Sequence, residues 1–227
     1  MPQHARAGTG SRLLRTPSAG AGVWSAGFEY ANQHEPAPNG FVSWAGRIGR
    51  TEYSVGARGY SLERELPAKR RLSDSSGQLS EVRLERSPRK FHEYALDGEL
   101  TRDLFGGSLR TTGQIYRSDY RQANTLEYQA PDGAWRGDEW APYGESKRSN
   151  ELGLAWQLPW GAGKVDFTAV HSGEKFSSDA DNSTRRATWN AQSAVRQRRD
   201  SEETILRATL ERGLASNHRL QIGAEGA

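Results

Sequence analysis

A chain of 227 residues with 34% hydrophobic residues, 26% charged residues and 25 glycines has room for one sizeable domain or two small ones. Its mean hydropathy of −0.85, with no apolar run near the ~18 residues a membrane helix needs, excludes a helical membrane protein but not a β-barrel, whose alternating pattern averages out of composition. A near balance of 31 basic and 28 acidic residues gives nucleic-acid binding no support from bulk charge, and the lack of Cys excludes a disulfide scaffold, a thiolate metal site and a Cys nucleophile.

Residues 1–22 carry three Arg, and Leu13-Leu14 is their only pair of consecutive large apolar residues. The segment has no signal-peptide apolar region and is expected to be irregular. From Val23 onward the period is two, the strand period. Nine alternating segments succeed one another along the chain: Trp24–Tyr30, Val42–Ile48, Tyr53–Gly59, His92–Leu100, Leu109–Ile115, Leu152–Leu158, Val165–Ala169, Thr204–Leu210 and Leu220–Ala224. Around residues 200–214 a helix competes, since Asp200 and Glu203 resemble a capping box and Leu206, Leu210 and Leu214 a helical stripe. The neighbours favour a strand there, because a lone helix would leave 218–227 without a hairpin partner.

Short connections at Gly49-Arg50, 103–107, 159–163 and 212–217 alternate with long ones at 31–40, 61–90, 119–147 and 175–200. Short turns at one end and long loops at the other are the pattern of an outer-membrane barrel. All nine prolines are expected outside the strands, because Pro brings no N–H to a ladder. Aromatic residues such as Trp24, Trp44, Tyr53, Tyr94 and Trp156 fall on the apolar sets, as interfacial girdles require. The opposite set carries both charge signs: Arg47, Arg58, Glu93, Asp97, Glu99, Arg110, Glu151, Asp166, Glu203, Arg207, Glu211, Arg219 and Glu225. That set is expected to line a wet lumen holding water or a polar plug.

Taken with the phrases TEYSVGARGY (51–60), LDGELTRDLFGGSLRTTGQIYRSDY (96–120) and NHRLQIGAEGA (217–227), this pattern resembles the barrel of a TonB-dependent outer-membrane receptor over about 23–227. The resemblance implies a barrel of about 22 strands, a plug domain, TonB as energy-coupling partner and uptake of a small ligand such as a siderophore. The chain departs from that pattern in lacking a signal peptide, a coupling box and room for a plug; LLRTPSAG (13–20) could be a plug remnant. Nine antiparallel strands leave the first and last pointing the same way, and alternation is still running at Ala227, so the expectation is a partial barrel.

Catalytic patterns are weak. His171 and Ser172 are adjacent and would face opposite ways in a strand, and the five His are too scattered for a zinc motif. Gly161-Ala162-Gly163-Lys164 has Val165 where a phosphate loop needs Ser or Thr, and reads as a hairpin turn. Asn182-Ser183-Thr184 matches a glycosylation acceptor only formally. Ligand contact is expected instead from the long loops, through Trp135, Trp140, Tyr143, Arg185 and Arg186, because aromatic rings and guanidinium groups stack on flat groups and pair with anions.

The expected architecture is therefore an all-β antiparallel meander of about nine strands, part of a transmembrane β-barrel over 23–227, with no helical domain. The expected function is an outer-membrane receptor or transport barrel in a Gram-negative bacterium, not an enzyme. It would need no cofactor or metal and bind no nucleic acid; its surroundings would be outer-membrane lipid. The competing reading is a soluble or surface β-rich binding module.

Overall fold

The computed structural model describes residues 10–16, 20–30, 36–214 and 218–227. Residues 1–9 and 17–19 of the segment expected to be irregular, together with His4 and His34, lie outside them. Among the described residues there is no helix, and twelve strands form one antiparallel sheet. They are β1 (Gly10–Thr16), β2 (Gly20–Glu29), β3 (Ala37–Ile48), β4 (Thr51–Glu65), β5 (Ala68–Ser73), β6 (Leu79–Arg86), β7 (Pro88–Leu104), β8 (Gly107–Gln129), β9 (Trp135–Trp160), β10 (Gly163–Arg186), β11 (Asn190–Leu214) and β12 (His218–Gly226). The order β1-β2-β3-β4-β7-β8-β9-β10-β11-β12 is a meander, and β1 and β12 form its two edges.

All nine expected segments are strands, including the contested one, which lies within β11. The irregular segment is corrected in part: Gly10–Thr16 forms β1 and pairs with β2, from Thr16↔Gly20 to Gly10↔Ala26. The larger correction concerns the long connections. Residues 119–147 and 175–200 are mostly strand, and the β8–β9 and β10–β11 hairpins turn only at 130–134 and 187–189. Backbone groups in a long segment need partners, and here the ladder simply continues.

The 61–90 segment has the same plan with one interruption. Strands β5 and β6 extend the β4–β7 hairpin beyond a break at 66–67 and Ser87, where the Leu66 N–H donates to the Ser87 carbonyl at 3.3 Å. Beyond the break β6 takes over as the neighbour of β8, from Arg86↔Thr125 to Val82↔Gln129. The hairpin closes on Asp74, whose carboxylate accepts from the Ser76 and Gln78 N–H groups.

The expectation that every proline avoids the strands also fails. Pro38, Pro88, Pro142 and Pro159 lie inside β3, β7 and β9. The ladder accommodates Pro142 at a gap: β9 pairs with β10 at Tyr143↔Ala180 and next at Trp140↔Ser183, whereas pairing with β8 is continuous there. A residue with no N–H is tolerated where a ladder bond is skipped.

At the other end the turns are tight. Phe105 and Gly106 both have positive φ, 52° and 79°, as in the two-residue turns whose twist suits a hairpin. The buried apolar set is small: Ala37, Val82, Ala95, Tyr128 and Ala130. Large apolar side chains such as Leu96, Ile115 and Leu152 are 57–60% exposed, so the sheet is a single layer without a conventional core.

Candidate functional site: the two faces of the sheet and its projecting hairpins

In an antiparallel ladder, paired residues share a face, so register determines facing. The row Arg47–Glu52–Thr101–Arg110–Ala155–Thr168–Arg207–Glu225 runs from β3 to β12 on one face. Two residues along β7, Glu99 continues that face. All thirteen charged residues expected to line a lumen lie on it. They interlock: Arg58 pairs with Glu93 at 3.1 Å, Arg110 with Glu99 at 2.7 Å, Lys164 with Asp166 at 3.1 Å and Arg219 with Glu211 at 3.1 Å. Arg47–Glu52 and Arg199–Glu174 are further pairs. Exposed pairs contribute little to stability individually, but the lattice makes this face mostly hydrophilic, with apolar breaks such as the Val170–Ile205 pair.

The other face carries the expected apolar sets, in rows such as Leu100–Thr111–Leu154–Ala169–Leu206. Towards the tight turns it gathers aromatics. The Trp44 indole N–H donates to the Tyr53 hydroxyl at 3.1 Å, and Phe105 meets Trp156 edge-on at 6.4 Å between centroids. Several aromatics have a glycine as direct cross-strand partner: Trp44 with Gly22, Tyr53 with Gly46 and Tyr94 with Gly59. At Gly22 a Cβ would overlap the Trp44 ring, so that ring packs down onto bare backbone.

This apolar band is oblique to the rows. On β2 it is centred on Ala26, whose row passes through Gly40, Gly59, Tyr94, Arg117, Arg148 and Lys175 to Asp200 on β11. On β12 it is centred on Ile222, whose partner is Leu210, ten residues further along β11. The band therefore drifts along the strands from one side of the sheet to the other, with β3 out of line, since its set Val42–Ile48 centres five residues from Gly40 whereas the set Tyr53–Gly59 on β4 centres three residues from Gly59.

The five candidate ligand residues are strand residues near the hairpin ends, and the structure divides them between the faces. Trp140 and Arg185 continue the apolar side, with Trp135 stacked under Arg185 at 5.2 Å and Arg185 bound to Asp138 at 2.5 Å. Trp135 and Trp140 are 46% and 52% exposed. Tyr143 and Arg186 continue the charged side. The Tyr143 hydroxyl donates to Glu145 at 2.8 Å, and its ring lies 6.0 Å from that of Tyr120.

Arg186 belongs to a cluster that spacing alone does not reveal. Tyr128 (β8), Gly137 (β9) and Arg186 (β10) form one row. Because Gly137 has no side chain, Arg186 crosses β9 and places its guanidinium 3.3 Å from the Tyr128 ring centroid. A Cβ on Gly137 would come 2.6 Å from Arg186 Cδ. Arg83 approaches the same ring at 5.4 Å and binds Glu81 at 2.6 Å. The Tyr128 hydroxyl donates to Glu139 at 3.0 Å, and the Asn182 amide donates to the other oxygen of that carboxylate at 2.9 Å. Burial, reinforced by Glu139, raises the Tyr128 phenol above its usual range, so it stays a neutral donor at physiological pH. In the sequence Gly137 is a faint trace of this cluster, because glycine within a strand marks close side-chain approach, but the residues around it do not alternate and do not read as strand.

No catalytic constellation forms among the described residues. His171 hydrogen-bonds Thr204 at 2.8 Å, and Ser172 is on the opposite face. Ser61 and His92 are 3.0 Å apart, a pair that their separation in sequence conceals. The register neighbour of His92, Asp119, binds Arg117 instead, so no carboxylate orients the imidazole as a hydrolytic triad requires. Among the described residues no group of three His, Asp or Glu converges on a metal-sized site. No known protein family matches this chain, and no curated protein matches it.

Proposed function

We propose that the chain is a section of an outer-membrane β-barrel of the receptor type, with the ion-paired face towards the lumen and the apolar face towards lipid. The observation that carries this is the oblique band. Ten residues of drift over the eight strand steps from β2 to β12, at about 3.3 Å per residue and 4.8 Å per strand, is an inclination of about 40°, within the 35–45° tilt of membrane barrels. A soluble single-layer sheet has no reason to keep an apolar band level at that angle. The unpaired edges of β1 and β12 would have to be met by further strands, because open edges are not tolerated in hydrocarbon.

Beyond the band the strands continue. β9, with 26 residues, extends about 85 Å, far more than the band requires, so its upper part would stand outside the bilayer. Such projecting hairpins suit capture of a small ligand such as a siderophore, with TonB-dependent uptake as the energy source.

The natural absence of Cys makes facing directly measurable. In vesicle-inserted protein, a Leu154→Cys variant is expected to resist a water-soluble maleimide while Ala155→Cys reacts. Equal labelling at both positions would favour the soluble-module reading. The receptor part has a separate check. Thr125 and Trp140 are cross-strand partners, so replacing 126–139 by an Asn-Gly turn trims the hairpin without disturbing the strands beneath. Cells relying on this barrel for ferric-siderophore iron should lose uptake while still inserting the shortened protein; unchanged uptake would remove the hairpin from ligand capture.

A further inference from the structure

The apolar face ends abruptly on the side of the long hairpins, and an excess of positive charge lies beyond it. The first row past Leu96 and Ile115 is Tyr94–Arg117–Arg148–Lys175–Asp200, which places three cations side by side on adjacent strands. Like charges directly opposite one another destabilise a sheet. Arg117 is bound to Asp119 at 2.9 Å and Lys175 to Asp200 at 3.2 Å. Arg148, between them, has no ion pair or hydrogen bond among the described residues. The next two rows on this face add Lys90, Arg121, Arg196 and Arg198 against Glu63, Asp119 and Asp179. From β4 to β11, seven cations thus face four carboxylates in these three rows.

The surface is also recessed. Gly173 stands diagonally beside Arg148, and a shallow groove of about 570 Å³ opens there, reached by Ile115, Arg117, Arg148, Asn150 and Lys175. Below the cations it is lined by Ile115, Asn150 and Glu202, and Asp200 stands beside Lys175 at its upper edge.

We propose that this belt, centred on Arg148, seats the phosphate group of a lipid in the leaflet on the hairpin side. The inference rests on the membrane reading, since only then does the apolar band put acyl chains below the groove and headgroups level with the cations. A lipid-borne phosphate accounts for the combination better than a free anion, because the cations lie at the margin of the band rather than in an enclosed pocket, and on the Ile115 side the groove leads to Leu96 on the apolar face.

The test uses the protein inserted in phosphatidylcholine vesicles, with spin-labelled phosphatidic acid and spin-labelled phosphatidylcholine as probes. The parent is expected to prefer the phosphatidic acid by about five-fold, the size of effect a single cation exerts near a charged headgroup. Arg148→Gln and Lys175→Gln should each reduce that preference, and Arg148→Lys should largely retain it. Glu151→Gln, on the opposite face, should leave it unchanged. An inserted protein with no preference, or with one that neither Gln variant reduces, overturns the proposal and leaves the barrel reading standing. Removal of the preference by millimolar inorganic phosphate would also overturn it, as the mark of a free-anion site. A chain that resists insertion in every vesicle defeats the membrane reading, and this proposal with it.

Discussion

Replacing Val55 with Arg is expected to cost about 2–4 kcal/mol of folding stability in lipid vesicles, whereas Ser54→Arg should cost close to nothing. The two residues are adjacent on β4 but belong to different faces. Val55 pairs with Trp44 and Gly98 on the apolar side, near the centre of the band, where a guanidinium would be held in hydrocarbon. Ser54 lies opposite Glu99, so an Arg there gains a carboxylate partner in the ion-paired lattice. Urea-driven unfolding from vesicles measures both. Equal costs would mean that the alternation does not separate lipid from lumen.

The second large effect concerns the tight turns. Gly163→Ala should destabilise the β10–β11 pairing by about 1–3 kcal/mol, the scale of an overpacked site, although the change adds one methyl group. Gly163 begins β10 directly after the turn, and a Cβ there would overlap the carbonyl oxygen of Glu211 on β11. Backbone cannot swing aside as a side-chain tip can. Gly107 meets Gln157 of β9 in the same way at the start of β8. Gly113→Ala is the matched control: a Cβ there meets nothing within 4 Å, so the substitution should be neutral or stabilise by a few tenths of a kcal/mol through the unfolded chain. Hydrogen exchange across 163–170 and 205–212 distinguishes the outcomes. If Gly163→Ala and Gly113→Ala behave alike, the close approach of β10 to β11 is not a constraint.

Facing was legible in the chain because the strand period is two. Once Leu154 is assigned to one side, Ala155 must take the other, and antiparallel pairing carries that choice unchanged from strand to strand. Hence the ion-paired row from Arg47 to Glu225 could be expected from alternation alone, as could the tight turns marked by Gly49, Gly106 and Gly161. Strand length was not legible. Above Ile115 and Leu152 both faces turn polar, as in Arg117, Asp119, Ser146 and Lys147, so alternation fades and strand resembles loop. Only pairing with a neighbour keeps that backbone in the ladder, and pairing is a relation between distant segments. For the same reason the chain offered Trp135, Trp140, Tyr143, Arg185 and Arg186 as one aromatic and basic group, whereas register sends Trp140 and Arg185 to one face and Tyr143 and Arg186 to the other. The local period of two therefore determined which residues share a side within each strand. Inter-strand register, set by hydrogen bonds between segments far apart in sequence, decided which side chains meet, where the charged belt begins, and that Arg186 reaches Tyr128 across Gly137.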